Sequence, residues 1–369
     1  MIEFHFNSSS RQGWKECVLR HPVDVLTGNM DTTAAEIEDF FQMHRGRYIA
    51  GFISYDYGRT KLGLYGQQSE LVPMPQVLFA AYTSESKPNQ WDNNEFDFVR
   101  PVFRPLISRE EYLRSVRQIQ DHIRDGEFYQ VNFTHFLQAE WEGKEYILYR
   151  DRLKHNAVRF AVYIRSTDYS VLSFSPELFL RFRGRRITTE PIKGTIPRDG
   201  KSEDRAEKVR LINSAKEAAE LDMITDLLRN DLGRICKPGS VRIQAHRAIM
   251  KLEKLWHTYT AIIGVLDDLA PISAVLSCMP GGSISGCPKK RAVEFIGDLE
   301  HYSRGIYTGT IGLQYPNGDS DWSIAIRTIL RNNQSLFLGV GGGITIDSDP
   351  ASEYDETLAK ARSLGEILP

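Results

Sequence analysis

The chain has 369 residues, 41% hydrophobic and 25% charged, with a formal net charge of −2. Those proportions belong to an ordinary water-soluble globular protein with room for one large domain or two. The absence of a basic excess argues against nucleic acid as the main partner, and no apolar run reaches the length of a membrane span.

From the N-terminus, no charged-then-apolar signal pattern appears. The four cysteines, Cys17, Cys236, Cys278 and Cys287, show neither CxxC spacing nor a zinc-type cluster, so a reducing cytoplasm with unpaired thiols is expected. Residues 1–105 mix apolar alternation with aromatics; Tyr48 to Tyr55 reads as a buried strand and Ser84 to Asn94 as a loop. Ser108 and Glu111 have the spacing of a capping box, opening a helix with Tyr112, Val116, Ile119 and Ile123 on one face and a stop at Asp125-Gly126. A domain boundary is therefore expected near residue 105, with 106–369 as the second unit. Phe128 to Phe136 reads as a strand in which Gln130, Asn132 and Thr134 share a face. Strands are expected at 171–182, 306–314, 322–331 and 335–340, and helices at 202–231, 289–298 and 350–366. This is a mixed α/β (α+β) pattern whose strand order cannot be read from the sequence.

The run Glu190-Pro191-Ile192-Lys193-Gly194-Thr195-Ile196-Pro197-Arg198 follows the expected strand Arg186 to Thr189. Two prolines and a glycine make it a rigid turn holding a lysine, which becomes a nucleophile if it is desolvated. A solvated loop lysine is the plain alternative. Further on, Glu217 and Glu220 fall on the apolar stripe of their helix with Leu221, Ile224 and Leu227. Inward carboxylates repel and lose hydration unless a cation or protons neutralise them. Glu353 and Glu356 repeat the pattern on a helix capped by Asp349, alongside Lys360, Leu364 and Ile367. There an i, i+4 pair between Glu356 and Lys360 is the simpler reading. Two such pairs on separate helices suit a hard cation with oxygen ligands, Mg²⁺ before zinc.

The loop Pro280 to Gly286 runs into Cys287-Pro288 and a helix, a setting that presents backbone N–H groups to an anion. It lacks the ending of a nucleotide-binding Walker loop. Gly339 and Gly341-Gly342-Gly343 leave a strand bare for close ligand approach. Arg327, beside Ser323 and Ala325 on an expected strand face, suits a carboxylate.

In order, Phe128-Tyr129-Gln130-Val131-Asn132, Ser173 to Glu177, Pro191 to Thr195, Asp226 to Arg234, Pro280 to Pro288 and Gly341 to Glu356 resemble the chorismate-utilising enzymes over roughly residues 106–369. The resemblance implies stacked central β-sheets with helices packed outside and the N-terminal part packed against them. Within that resemblance, lysine in the Pro-Ile-x-Gly-Thr motif is similar to the branch that aminates chorismate at C4, a target that Lys193 and Gln130 imply together, whereas another amine-using branch usually has alanine there. Gln130 stands where water-using members carry a lysine base. The resemblance implies Lys193 as covalent nucleophile, Glu177 as general acid and His257 near the reacting ring. It implies Gln130, Thr195, Ser285, Tyr307, Arg327, Gly341, Gly342 and Lys360 around the substrate, and Glu217, Glu220, Glu353 and Glu356 holding Mg²⁺ directly or through water. Lys193 is then expected to be buried close to Glu177 and the metal. Ser285 and Cys287 replace the family's usual threonine and alanine, and His257-Thr258-Tyr259-Thr260 departs from its usual run. No Leu-Leu-Glu-Ser run of the tryptophan-binding kind is present. With no Gly-x-Cys-x-Gly elbow in the chain, a separate glutamine amidotransferase subunit is expected to supply ammonia.

Overall fold

The computed structural model describes residues 2–10, 13–66, 68–87, 99–155, 158–197, 208–209, 214–251 and 255–364. Its layering follows from strands that are apolar on both faces. In Val77–Tyr82 all six residues are buried. Leu78, Ala80 and Tyr82 join one apolar cluster, while Val77, Phe79 and Ala81 join another. A strand buried on both sides needs a covering layer on each. On one side lies the space between two antiparallel sheets, filled by Phe4, Phe52, Val162, Leu313 and Leu330 among others. On the other lie helices that include Ala34–Met43 and Pro271–Cys278. The second sheet is covered in the same way: Tyr163, Leu172 and Phe174 pack against Leu148 and Tyr149 of helix Glu145–His155 and Ala361 of helix Pro350–Ser363. The expected mixed α/β fold, with stacked central sheets and helices outside, is the one found.

One sheet runs in the order Gly286–Cys287, Gln130–Glu140, Ser335–Ile344, Thr328–Asn332, Tyr169–Ser175, Phe160–Arg165, Glu3–Ser10, Gly13–Leu19. The other runs Ile192–Pro197, Leu255–Val265, Arg186–Glu190, Leu178–Arg183, Ser320–Ile324, Thr310–Gln314, Tyr48–Ile53, Val77–Tyr82, Asp24–Gly28. Residues 1–105 therefore supply strands to both sheets.

Several expected elements are revised. The stretch 171–182 is two strands in different sheets, parted at Pro176-Glu177, because proline has no N–H to give a ladder. The stretch 322–331 is likewise divided at residues 325–327, where Arg327 takes φ 52°. The Pro191–Pro197 turn is instead a strand, Ile192–Pro197, with a bulge at Gly194 (φ 66°) against Leu255–Val265. Ser108 caps helix Arg109–Arg124 through the Glu111 N–H, but the Glu111 carboxylate turns away to His301, so the reciprocal half of the box is not made. Asp349 caps the last helix through the Ser352 N–H, as expected. The expected helix 202–231 is observed as Ala215–Gly233; its early part, with most of 202–213, lies outside the described residues, as do Arg198, Ile367 and part of the 84–94 loop. None of the four cysteines is in a disulfide. Among the described residues no helix is long and apolar enough to cross a membrane.

Candidate active site

The two sheet changes run side by side. Leu178 pairs with Ser323 in one sheet and Ser173 with Thr328 in the other. The Phe174 N–H donates to the Arg327 carbonyl at 3.0 Å, and the Ile324 N–H to the Glu177 carbonyl at 3.3 Å. Glu177 and Arg327, one from each crossover, both face a cavity of about 510 Å³. Glu177 is buried, and desolvation raises its pKa to about 7. The Ser283 hydroxyl, donating to Oε1 at 2.5 Å, and the nearby charge of Lys193 pull it the other way. Arg327 has no carboxylate in ion-pair reach among the described residues, and burial brings it down to about 10. A guanidinium taken from water with no counter-charge is a site awaiting an anion.

Lys193 is placed by the Gly194 bulge. The strand continues past it, yet the extra residue re-aims the side chain out of the ladder. Its side chain is largely buried, and Nζ lies 3.3 Å from Glu220 Oε2. The amine thus sits as expected near the acids and within electrostatic range of Glu177. His257, paired with Thr195 on the neighbouring strand, places Nδ1 3.2 Å from the Gly194 carbonyl. A carbonyl only accepts, so the ring proton is on Nδ1. Burial first, then the Arg327 charge, lower its pKa to about 4, so the ring is neutral at pH 7.

Opposite stand the acids. Glu217 and Glu220 enter from helix Ala215–Gly233, which buries Leu221 and Ile224, and Glu353 and Glu356 enter from helix Pro350–Ser363. Glu353 accepts from the Ser348 hydroxyl at 2.8 Å; Glu356 pairs with Lys360 at 2.8 Å, whose ammonium also donates to the Gly341 carbonyl. Among the described residues no three His, Cys, Asp or Glu side chains form a ready ligand set. The donor chemistry nonetheless fits Mg²⁺, which keeps several waters and takes one or two carboxylates with substrate oxygens. Glu220 pairs with Lys193 and Glu356 with Lys360, and all four carboxylates border the one cavity.

Glycines form the remaining wall. A Cβ on Gly339 would lie 2.4 Å from the Tyr307 ring, and one on Gly342 3.3 Å from Glu353 Oε2. One on Gly343 would meet Gln130 Nε2 at 2.0 Å and Lys193 Nζ at 3.4 Å. Tyr307, Gly341, Gly342, Arg327 and Lys360 thus line the cavity with Lys193, Glu177, His257 and the four acids.

Two expected residues are placed differently, and a third is not described. Gln130 is buried behind Gly343, its Oε1 without a hydrogen-bond partner among the described residues. The Ser285 hydroxyl is turned away to the Gly281 and Gly282 carbonyls. Thr195 is in the strand, but its side chain lies outside the described residues. Ser283 and Asn132 line the cavity although neither was expected in the site. Residues 282–284 form a 3₁₀ turn, which sends alternate serines of Gly-Gly-Ser-Ile-Ser-Gly to different partners. A second cavity of similar volume lies at the hairpin ends near Glu3, Arg165 and Arg331. Of its carboxylates, Glu145 is already bound by Tyr163, Ser170 and Arg331, and Glu3 by His5 and Arg20.

A family model described as chorismate binding enzyme matches residues 8–366. The chain is 39% identical over 265 residues to aminodeoxychorismate synthase component 1 of Klebsiella aerogenes, covering 71% of this chain and 59% of that one. It is 36% identical over 263 residues to anthranilate synthase component 1 of Cereibacter sphaeroides, covering 71% of this chain and 53% of that one. The chain therefore spans little more than half the length of these curated relatives. The crystal structure of anthranilate synthase component I from Streptococcus pneumoniae superposes with a TM-score of 0.84 at 25% identity, covering 98% of this chain and 92% of that one.

Two outcomes test this geometry. Ser283→Ala removes the donor that favours the ionised form of Glu177, so the titration midpoint of that carboxyl should rise from about 7 by about one unit; a carboxyl-region NMR or infrared titration reads it, and a fall would contradict the assignment. Gly343→Ala should overpack Gln130 and lower unfolding stability by about 1–3 kcal/mol in a urea titration.

Proposed function

The chain belongs to the chorismate-binding enzymes, and from that premise we propose that it aminates chorismate at C4, giving 4-amino-4-deoxychorismate, the reaction its aminodeoxychorismate synthase relatives are named for. The observation that carries this reading is Lys193, an amine aimed into the cavity between Glu177 and the acidic helices. Lys193 Nζ attacks C2 of the ring, the double bonds shift, and the C4 hydroxyl leaves as water on taking the Glu177 proton. Ammonia then adds at C4, the double bonds return, and the Lys193 amine is expelled from C2. The sum is chorismate plus ammonia giving aminated product plus water. Hydroxide is a poor leaving group, so a carboxyl that keeps its proton near neutrality, as burial arranges for Glu177, suits the first step.

Arg327, Tyr307 and the Gly341–Gly342 backbone hold one substrate carboxylate on this reading, with Lys360 beside them. Glu217, Glu220, Glu353 and Glu356 would hold Mg²⁺, in part through waters, and the ion would neutralise the ring carboxylate. Neutral His257 offers Nε2 as an acceptor near the ring. Gln130 offers a buried amide in place of a base, which leaves activation to nitrogen rather than water. Ammonia would come from a separate glutaminase subunit, and the setting would be cytoplasmic.

Incubating the purified chain with chorismate, Mg²⁺ and ammonium, then adding aminodeoxychorismate lyase, should yield p-aminobenzoate. A fluorescent product formed without the lyase would favour anthranilate synthesis, the activity named for relatives of comparable identity. Lys193→Ala should leave chorismate unconsumed, and Glu177→Gln should lower kcat on the order of 10²–10⁴-fold. Full activity of Lys193→Ala would remove the covalent step.

A further inference from the structure

We propose that Arg304, a residue outside the cavity lining, positions the general acid's serine and the facing wall of the site. Its guanidinium is buried and meets Glu300 in a two-pronged pair, Nε to Oε2 at 2.8 Å and Nη2 to Oε1 at 2.7 Å. The remaining donors reach the Ile284 carbonyl at 2.8 Å, the Asn132 carbonyl at 2.6 Å and the Thr308 hydroxyl at 3.3 Å. Glu300 Oε1 in turn accepts from the Thr134 N–H at 2.9 Å and its hydroxyl at 3.0 Å. One ion pair therefore ties together the turn that carries Ser283, the strand that carries Asn132, and the turn that carries Tyr307.

The pair is itself held from the N-terminal region. The guanidinium lies over the Tyr55 ring at 4.3 Å. Asp56 accepts from the Ser303 hydroxyl at 2.6 Å and the Gly305 N–H at 2.7 Å, and the Tyr55 N–H donates to the Gly305 carbonyl at 2.8 Å.

Stability alone is a weak reason for such a knot, since burying an ion pair costs desolvation that its attraction scarcely repays. What arginine adds is a planar fork that fixes several acceptors at once; lysine's single ammonium cannot span them. The Ile284 carbonyl is pinned one residue after Ser283, whose hydroxyl sets the Glu177 carboxyl. A shift of about 1 Å at that point is enough to cost on the order of 100-fold in rate.

The kinetic part of this inference rests on the chorismate reading, so the test has a second arm free of it. Arg304→Lys should lower kcat about 100-fold with KM little changed. In hydrogen–deuterium exchange, it should speed exchange at residues 130–134 and 282–286 while Val77–Tyr82 keeps its protection. Unaltered kcat with unaltered exchange in both segments would overturn the proposal. Exchange rising throughout the chain would also overturn it, making Arg304 a general stability residue. If the wild-type chain consumes no chorismate, the functional reading fails by itself and the exchange comparison still decides the clamp. Should Arg304→Lys not fold, Glu300→Gln carries the same two comparisons, because its amide keeps the shape and loses the charge.

Discussion

Two changes of sheet made at one place are the constraint from which the cavity follows. A backbone that leaves one ladder for another must break its hydrogen-bond register, and here both breaks lean on each other through the Phe174–Arg327 and Ile324–Glu177 backbone bonds. 

The residues between ladders have side chains that neither sheet claims, which is why an acid and a guanidinium face the same space. Arg327 holds its backbone at a positive φ that costs an arginine about 1–3 kcal/mol. The Phe174 N–H bonded to its carbonyl and the adjoining ladders hold it there.

The electrostatics divide along the same line. Buried Glu177 stays protonated into the neutral range because its desolvation outweighs both Ser283 and Lys193. On the acidic helices Lys193 meets Glu220 and Lys360 meets Glu356. An arginine on one wall and four carboxylates on the other make a polarised pocket. On the proposed reading, the guanidinium would hold one substrate carboxylate, and the acids would hold a divalent ion that offsets the charge of the other.

Much of this was legible in the sequence, for reasons that differ by residue. The inward acids could be read because a helix repeats every 3.6 residues, so Glu217, Glu220, Glu353 and Glu356 declare their face locally. Lys193 could be read from its prolines and glycine, though the bulge that aims it depends on the partner strand Leu255–Val265. The crossovers could not, because alternating apolar residues look the same whether a strand continues in one sheet or passes into the next. Ser283 and Ser285 are equivalent in a loop pattern, and only the 3₁₀ turn separates them. Arg304 shows locally only its spacing of four from Glu300 and Thr308; its hold on the backbone carbonyls of residues 132 and 284 leaves no mark in the sequence.

The sharing of both sheets by the N-terminal strands has a consequence for how the protein is made. Tyr48–Ile53 can pair at once with Val77–Tyr82, but its other edge belongs to Thr310–Gln314. At ribosomal speeds of about 5–20 residues per second, that edge emerges roughly 10 to 50 s before its mate. Throughout that interval an apolar strand with one bare side is open to the wrong neighbour, so the nascent chain has a long window in which a chaperone can shield it.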